Sequence, residues 1–163
     1  MISTNRKSLK MYATATGSSV SMFSSRNVSN AYRQIDVQTG VNGASDHQLI
    51  SMLFNGFFQS IGQARIAMQK RDIEEKCAAI TKCVRIVDEG LKASLDLKQG
   101  GELAQQLNDL YEYVTRRLTQ ANLRNDVDAL EECVRLLSPI REAWDAVAPG
   151  HNDAPRAAME IRA

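Results

Sequence analysis

The chain is poor in the residues from which catalytic and metal sites are usually built. It contains two histidines, His47 and His151, and three cysteines among its 163 residues. The cysteines form no CxxC pair, and neither histidine stands in an HxxxH or ExxH arrangement, so the ligand set of a zinc or helical di-iron site is missing. Cys77, Cys83 and Cys133 lie among apolar residues at helical spacing, which predicts small, buried side chains. We therefore expect neither a metal nor another cofactor.

The sequence also lacks the usual arrangements of an enzyme. Gly100 and Gly101 are adjacent, but the lysine and the spacing of a phosphate-binding loop are absent around them. Glu131 and Glu132 are neighbours in a predicted helix, where consecutive carboxylates point in different directions and are usually solvated. No candidate nucleophile stands beside a base. We predict that the protein is not an enzyme.

An excess of charge of one sign and long apolar runs are missing as well. Twenty Lys and Arg residues against nineteen Asp and Glu residues leave a net charge of +1, so no basic stripe for nucleic acid is present. No run approaches the roughly twenty apolar residues that cross a membrane, and no apolar segment follows the basic residues near the start, as in a secretory signal. Together with the unpaired cysteines, this predicts a protein of the cytosol that neither binds nucleic acid nor inserts into a membrane.

Apolar residues at helical spacing fill most of the chain from residue 45 onward. The stripe in residues 100–123 consists of Leu103, Leu107, Leu110, Val114, Leu118 and Ala121. Similar stripes predict helices over 45–70, from Ile73 to about Leu97, and from Val127 through Leu137. Ser45 with Gln48 has the spacing of a capping box, and Asp72 and Asp126 are typical N-cap residues. The sequence therefore predicts an all-α fold, an antiparallel up-down four-helix bundle.

Pro139 interrupts the fourth helical pattern. Its ring removes one helix hydrogen bond and clashes with the preceding turn, so we predict that the last helix is kinked or broken there. Ile140, Trp144 and Val147 would then belong to a short fifth helix. We expect residues 45–148 to form the bundle domain and residues 149–163 to form a flexible tail.

Residues 1–44 differ in composition from the bundle. The segment is rich in Ser, Thr and Asn, so we predict a mostly flexible extension. Residues 31–43 are less polar, and Tyr32 and Ile35 could dock this part on the bundle as an extended arm.

The first bundle helix carries more large apolar residues than one seam of a bundle uses, including Phe57 and Phe58. Either this helix is the most buried one, or a groove beside it receives an amphipathic or extended segment of a partner. Gly56 and Gly62 inside the same helix indicate a close helix crossing or space for another element. The arm around Tyr32 and Ile35 could cover such a groove when it is empty.

Residues 31–147 resemble the flagellar secretion chaperone family. The matching features are Ala31-Tyr32, NGASDHQLISMLFNG at 42–56, GGELAQQLNDLYEYVTRRLTQANLRND at 100–126, and REAW at 141–144. The resemblance implies a cytosolic bundle that binds the disordered C-terminal segment of flagellin in apolar grooves, prevents premature polymerisation and delivers flagellin to the flagellar export apparatus. The candidate partner-binding residues are Tyr32, Ile35, Leu53, Phe54, Phe57, Tyr113, Arg117 and Asn122.

Two alternatives lack a flagellin client. The bundle could self-associate through the same apolar surface, or it could be a regulatory adaptor that binds several flagellar proteins. A flagellin client loses conformational entropy when it orders, so a large apolar contact has to offset that loss. A nearly neutral protein with a wide apolar groove fits this requirement.

Overall fold

The computed structural model of the chain describes residues 23–34 and 43–149. These residues form the helices α1 (Ser25–Gln34), α2 (Asp46–Lys70), α3 (Ile73–Arg85), α4 (Gly101–Arg124) and α5 (Val127–Ala146). A π-helical segment, Ile86–Lys92, continues α3. The single β-bridge in the described residues pairs Phe23 with Leu95, and no strand is formed there. The all-α prediction is confirmed.

Helices α2 to α5 form the bundle. Each packs on the next along the chain, and α5 packs back on α2, so the four enclose one core. Every one of them contributes a fully buried side chain to it: Phe57, Ile80, Tyr111 and Leu130. The short turns between α2 and α3 and between α4 and α5 make these neighbours antiparallel.

The helix boundaries follow the local signals in the sequence. The Ser45 hydroxyl accepts a hydrogen bond from the Gln48 backbone N–H at 3.2 Å, and the Gln48 amide oxygen accepts one from the Ser45 N–H at 2.9 Å. Asp72 caps α3 and Asp126 caps α5 through their carboxylates. Because each cap satisfies an N–H that has no partner within its helix, the starts of α2, α3 and α5 are fixed locally, as predicted.

The predicted division of the last helix at Pro139 is wrong. Residues Val127–Ala146 form one helix that contains Pro139. Proline inside a helix costs about 3 kcal/mol, but Leu137 and Trp144 on either side of it are both buried in the bundle. The Pro139 side chain itself is exposed. Packing of the residues before and after Pro139 on the bundle keeps both parts in one helix.

The second predicted helix was expected to run to about Leu97, and this is also wrong. α-Helical hydrogen bonding stops at Arg85, and the π-helical segment ends at Lys92. The wider turn brings Ile86, Val87 and Leu91 into the core together. Gly56 of α2 lies against this segment, since a Cβ at Gly56 would be 3.3 Å from Ile86 Cδ1. The close crossing predicted from Gly56 is confirmed.

Several residues predicted to face the core are exposed instead. They are Ile66, Ile73, Leu103, Val127 and Val147. Ile73 and Leu103 have 70% and 51% of their surface exposed, and both lie in the first turn of a helix. Helical spacing identifies the face of a helix, but at its first turn no neighbouring helix covers that face. Farther along α4, Leu107, Val114, Leu118 and Ala121 are buried as predicted.

The N-terminal segment differs from the prediction in its described part. Residues 25–34 form α1 rather than mobile or extended chain, and α1 packs on α2 and the π-helical segment. Phe23, Val28 and Ala31 are buried in these contacts. Ile35 and the rest of 35–42 lie outside the described residues, as do residues 150–163, so the domain limits stay predictions.

The three cysteines differ in burial, and this gives a testable difference in reactivity. Cys83 and Cys133 are buried, and burial raises the pKa of each thiol to about 12. Cys77 is only half-buried, contrary to prediction, and its thiol donates to Asn122 Oδ1 at 3.5 Å. Since the thiolate is the reactive form, we expect iodoacetamide at about pH 8 to modify Cys77 at least about tenfold faster than the other two.

Peptide mass spectrometry over a time course measures the three rates. Cys77→Ser should abolish the fast phase of labelling. In protein unfolded by urea, Cys83 and Cys133 should be labelled at the same rate as Cys77. Rapid labelling of Cys83 or Cys133 in the folded protein would contradict the structure.

Candidate functional site

The three apolar candidates of α2 lie inside the bundle. Leu53, Phe54 and Phe57 are almost completely buried and belong to its core. No open groove exposes them, so a partner could reach them only after a neighbouring element moves. Their burial favours the first of the two interpretations of this helix, that it is the most buried one.

One small element packs on α2 and the π-helical segment. We call residues 23–31 the α1 cover: Phe23 and Val28 belong to the same core cluster as Leu53 and Phe57. The Ser24 backbone N–H donates to Ser94 O at 3.1 Å and anchors the cover beyond the π-helical segment. Tyr32 lies in the last turn of α1, next to the cover. The cover therefore closes the bundle over the junction of α2 and the π-helical segment.

An aromatic cluster links the α1 cover to the first turn of α2 and the last turn of α5. The His47 ring stacks on Trp144 with a centroid distance of 4.7 Å, and Phe23 meets Trp144 edge-on at 5.0 Å. His47 Nε2 lies 2.8 Å from Trp144 O, and Trp144 Nε1 donates to His47 O at 3.2 Å. The pair is reciprocal, since each residue uses its ring nitrogen on the other's backbone. Sequence reasoning missed this pair because nothing local relates two residues 97 positions apart.

Tyr113 and Arg117 form a surface cluster between α4 and α5. Both donate to Glu132, Tyr113 through its hydroxyl and Arg117 through Nε at 2.6 Å. Both hydrogen bonds, and chiefly the one from Tyr113, hold the pKa of Glu132 below its usual value. The hydrogen bond between Tyr113 and Glu132 is also the main reason why the pKa of Tyr113 is raised. The Arg117 and Glu132 side chains are only partly buried, so we expect their ion pair to contribute little stability.

Asn122 has a different environment from Tyr113 and Arg117. Its backbone carbonyl accepts a hydrogen bond from Lys76 Nζ at 3.0 Å, and its side-chain oxygen accepts one from Cys77. These contacts link α4 to α3, whereas the Tyr113 and Arg117 cluster links α4 to α5. Among the candidates whose side chains the structure describes, Leu53, Phe54, Phe57, Tyr113, Arg117 and Asn122 are therefore not brought into one surface.

Two further features of the described residues bear on the kind of site. Among residues 23–34 and 43–149, no three side chains of His, Cys, Asp or Glu are grouped so that they could hold a metal ion. Within the same ranges, no helix combines the length and the apolar character needed to cross a membrane.

Comparison with known proteins identifies the family. A family model described as "Flagellar protein FliS" matches residues 28–151, from within α1 to beyond the end of α5. The chain belongs to the FliS family. The match spans the bundle, most of α1, and both residues of the His47 and Trp144 pair, so these parts belong to the family region.

Curated relatives agree with this assignment. A flagellar secretion chaperone FliS of Salmonella typhimurium is 49% identical over 73% of this chain and 88% of its own length. The FliS of Escherichia coli is 44% identical over 70% of this chain and 84% of its own length. FliSB of Pseudomonas aeruginosa is 39% identical over 72% of this chain and 92% of its own length. Membership in FliS supports a chaperone role in flagellar export, and the family is one of chaperones rather than enzymes.

Proposed function

We propose that this protein is a cytosolic export chaperone for flagellin. It would bind the disordered C-terminal segment of flagellin in apolar grooves, prevent premature polymerisation and deliver the client to the flagellar export apparatus. The observation that supports the proposal best is the α1 cover, a separate small element that packs on α2 and the π-helical segment and joins the same core as the large apolar residues of α2, in a chain of the FliS family. Other flagellar regulators are further candidate partners.

The α1 cover has the size expected of an element that a client can replace. Its large buried side chains are Phe23 and Val28, each contributing about 1.5–3 kcal/mol by burial. Ordering each of the ten residues of α1 costs about 1–2 kcal/mol of conformational entropy, so burial of these two side chains does not by itself offset the ordering of the helix, and its other contacts must supply the rest. A longer amphipathic client helix would bury more apolar surface at the same place. Under this proposal Leu53, Phe54 and Phe57 contact the client after α1 has moved, and Tyr32 and Ile35 move with the arm.

Isothermal titration calorimetry with a flagellin C-terminal peptide of about forty residues tests the proposal directly; that length allows several helical turns. We expect one-to-one binding with a markedly negative heat-capacity change, the signature of apolar burial coupled to ordering. Arg117→Ala should weaken binding by about tenfold if the surface cluster contacts the client. Arg116→Ala is the matched control, because Arg116 is exposed on the same helix and makes no contact with Glu132 in the described structure.

Two outcomes would overturn the proposal. The first is no detectable binding to the peptide or to full-length flagellin. The second is a tight dimer in light scattering whose formation excludes the client, which would favour the self-associating bundle. Binding of other flagellar proteins without flagellin would favour the regulatory adaptor.

A further inference from the structure

A cavity of about 330 Å³ opens at the end of the bundle where α2 turns into α3. Ala67, Met68 and Ile73 supply its apolar wall. Arg71 and Lys76 supply two cationic side chains, and Asn125 of the α4–α5 turn borders the same space. We call this cavity the turn-end pocket.

Lys76 is the unusual member of this pocket. Only 6% of its surface is exposed, and its Nζ donates to Asn122 O at 3.0 Å and to Asn125 Oδ1 at 2.6 Å. Both acceptors are neutral. Within the described part of the chain, no Asp or Glu carboxylate forms an ion pair with it. A buried ammonium without an anionic partner is costly, so the wall of this pocket is complementary to an anion.

Asp72 is the one carboxylate among the residues that line the pocket, so together with Arg71 and Lys76 the lining keeps a net charge of +1. Asp72 Oδ1 accepts a hydrogen bond from the Glu75 N–H at 3.0 Å and caps α3. Asp126 in turn caps α5 at the same end of the bundle. Each cap occupies one of the N–H groups at a helix start, so we expect a carboxylate, which needs only the two cationic side chains, to fit this pocket better than an inorganic phosphate.

Three large apolar side chains are exposed at this end of the bundle. Ile73 and Leu123 have 70% and 79% of their surface exposed, and Val127 has 38%. These residues belong to the first turn of α3, the last turn of α4 and the first turn of α5. Exposed apolar side chains at one end of a bundle are candidates for contact with a protein partner. Because the buried cation Lys76 lies at the same end of the bundle, a matching partner would present an acidic residue with apolar neighbours.

We propose that the turn-end pocket binds a Glu or Asp side chain of a protein partner, in a segment where that residue is flanked by apolar side chains. The carboxylate pairs with Lys76 Nζ and is within reach of the Arg71 guanidinium, while the flanking side chains pack on Ile73, Leu123 and Val127. The proposal does not depend on flagellin being the client.

The turn-end pocket is remote from the α1 cover. The cover lies near the start of α2, beside His47, whereas the pocket lies at its other end. A helix of 25 residues is about 37 Å long at 1.5 Å per residue. A protein bound at the turn-end pocket would therefore leave the α1 cover accessible, so the bundle could hold two different proteins at once.

The test uses the full chain and two synthetic probes, acetyl-Leu-Glu-Leu-amide and acetyl-Leu-Gln-Leu-amide. Each is titrated to about 10 mM while backbone amides and the Lys76 ammonium are followed by NMR. We expect the Glu probe to shift residues 71–76 and 122–127 and to bind at least about tenfold more tightly than the Gln probe, since only the carboxylate pairs with the buried charge. Lys76→Met should abolish this preference, and Lys82→Met, an exposed lysine on the same helix, should preserve it.

The apolar part of the surface has its own pair of variants. Ile73→Ser should weaken binding of both probes, and Leu103→Ser, at the opposite end of the bundle, should leave it unchanged. Equal binding of the Glu and Gln probes, or no shift of these amides by either one, would overturn the proposal. The relative binding of the Glu and Gln probes and the amide shifts are both measured on the unaltered protein, so these two results remain decisive if Lys76→Met fails to fold.

Two other occupants are separate outcomes that would also overturn the partner proposal. If the Glu probe binds only after removal of residues 151–163, which include Glu160, the chain's own tail fills the pocket. If light scattering shows a dimer that Lys76→Met dissociates, the occupant is a second copy of the chain.

Discussion

Replacing Phe57 with alanine is expected to lower the free energy of unfolding by about 3–5 kcal/mol. Phe57 is fully buried, and its ring meets Phe58 edge-on with a centroid distance of 5.3 Å. Truncation removes the transfer free energy of the ring and leaves a cavity that the close crossing at Gly56 and Ile86 keeps from collapsing. A domain of this size is stable by only about 5–15 kcal/mol, so a large share would be lost. Urea denaturation followed by circular dichroism measures the change.

Leu103→Ala is the matched control for Phe57→Ala. Both residues stand in apolar stripes of the sequence, but Leu103 is half exposed at the start of α4. We expect its replacement to change the free energy of unfolding by no more than about 0.5 kcal/mol. Comparable losses for the two variants would mean that the start of α4 is packed differently from the structure.

Weakening the α1 cover should raise the affinity for the client segment. The double variant Phe23→Ala with Val28→Ala removes the two large side chains that the cover buries. If the closed cover competes with flagellin, each 1.4 kcal/mol lost from its docking raises the apparent affinity about tenfold, and we expect up to about 100-fold. Hydrogen exchange should show lost protection at residues 26–34 while the bundle amides stay protected. Calorimetry with the flagellin peptide measures the affinity.

A control pair shows whether such a rise is specific. Leu110→Ala with Val134→Ala also removes two partly buried apolar side chains, but from α4 and α5, away from the cover. This pair should lower stability without increasing client affinity. A fall in affinity with the cover variant would show that α1 is part of the client site rather than its competitor.

The parts of the fold that depend on local chemistry could be predicted from the sequence. The caps at Ser45, Asp72 and Asp126 involve residues three positions apart, so spacing alone identifies them. The π-helical segment could not be found in this way, because its wide turn is stabilised by packing on α2. Pro139 likewise lies in an unbroken helix because of tertiary contacts on both sides of it. Sequence patterns show that a π-helical turn or a proline within a helix is costly, but they do not show the tertiary packing that offsets this cost.

The candidate site was less predictable than the fold. A stripe such as Leu53, Phe54 and Phe57 has the same spacing in a core as in a groove, and only the arrangement of α1 and the bundle shows it to be buried. The helix α1 itself offers too few apolar residues among Ser, Asn and Arg to be recognised, since its stability comes from docking. Lys76 follows Glu74 and Glu75 and resembles an ordinary solvated lysine, although it is buried at the turn-end pocket. Such assignments require three-dimensional neighbours.

The contact between His47 and Trp144 has a consequence for the folding of the chain during its synthesis. It pairs the first turn of α2 with the last turn of α5, 97 residues later. At about 5–20 residues per second, a ribosome needs roughly 5–20 seconds to make that intervening chain. During this interval the apolar face of α2 lacks its final neighbour, α5. The nascent chain of a chaperone is therefore, for those seconds, itself a candidate client for other chaperones.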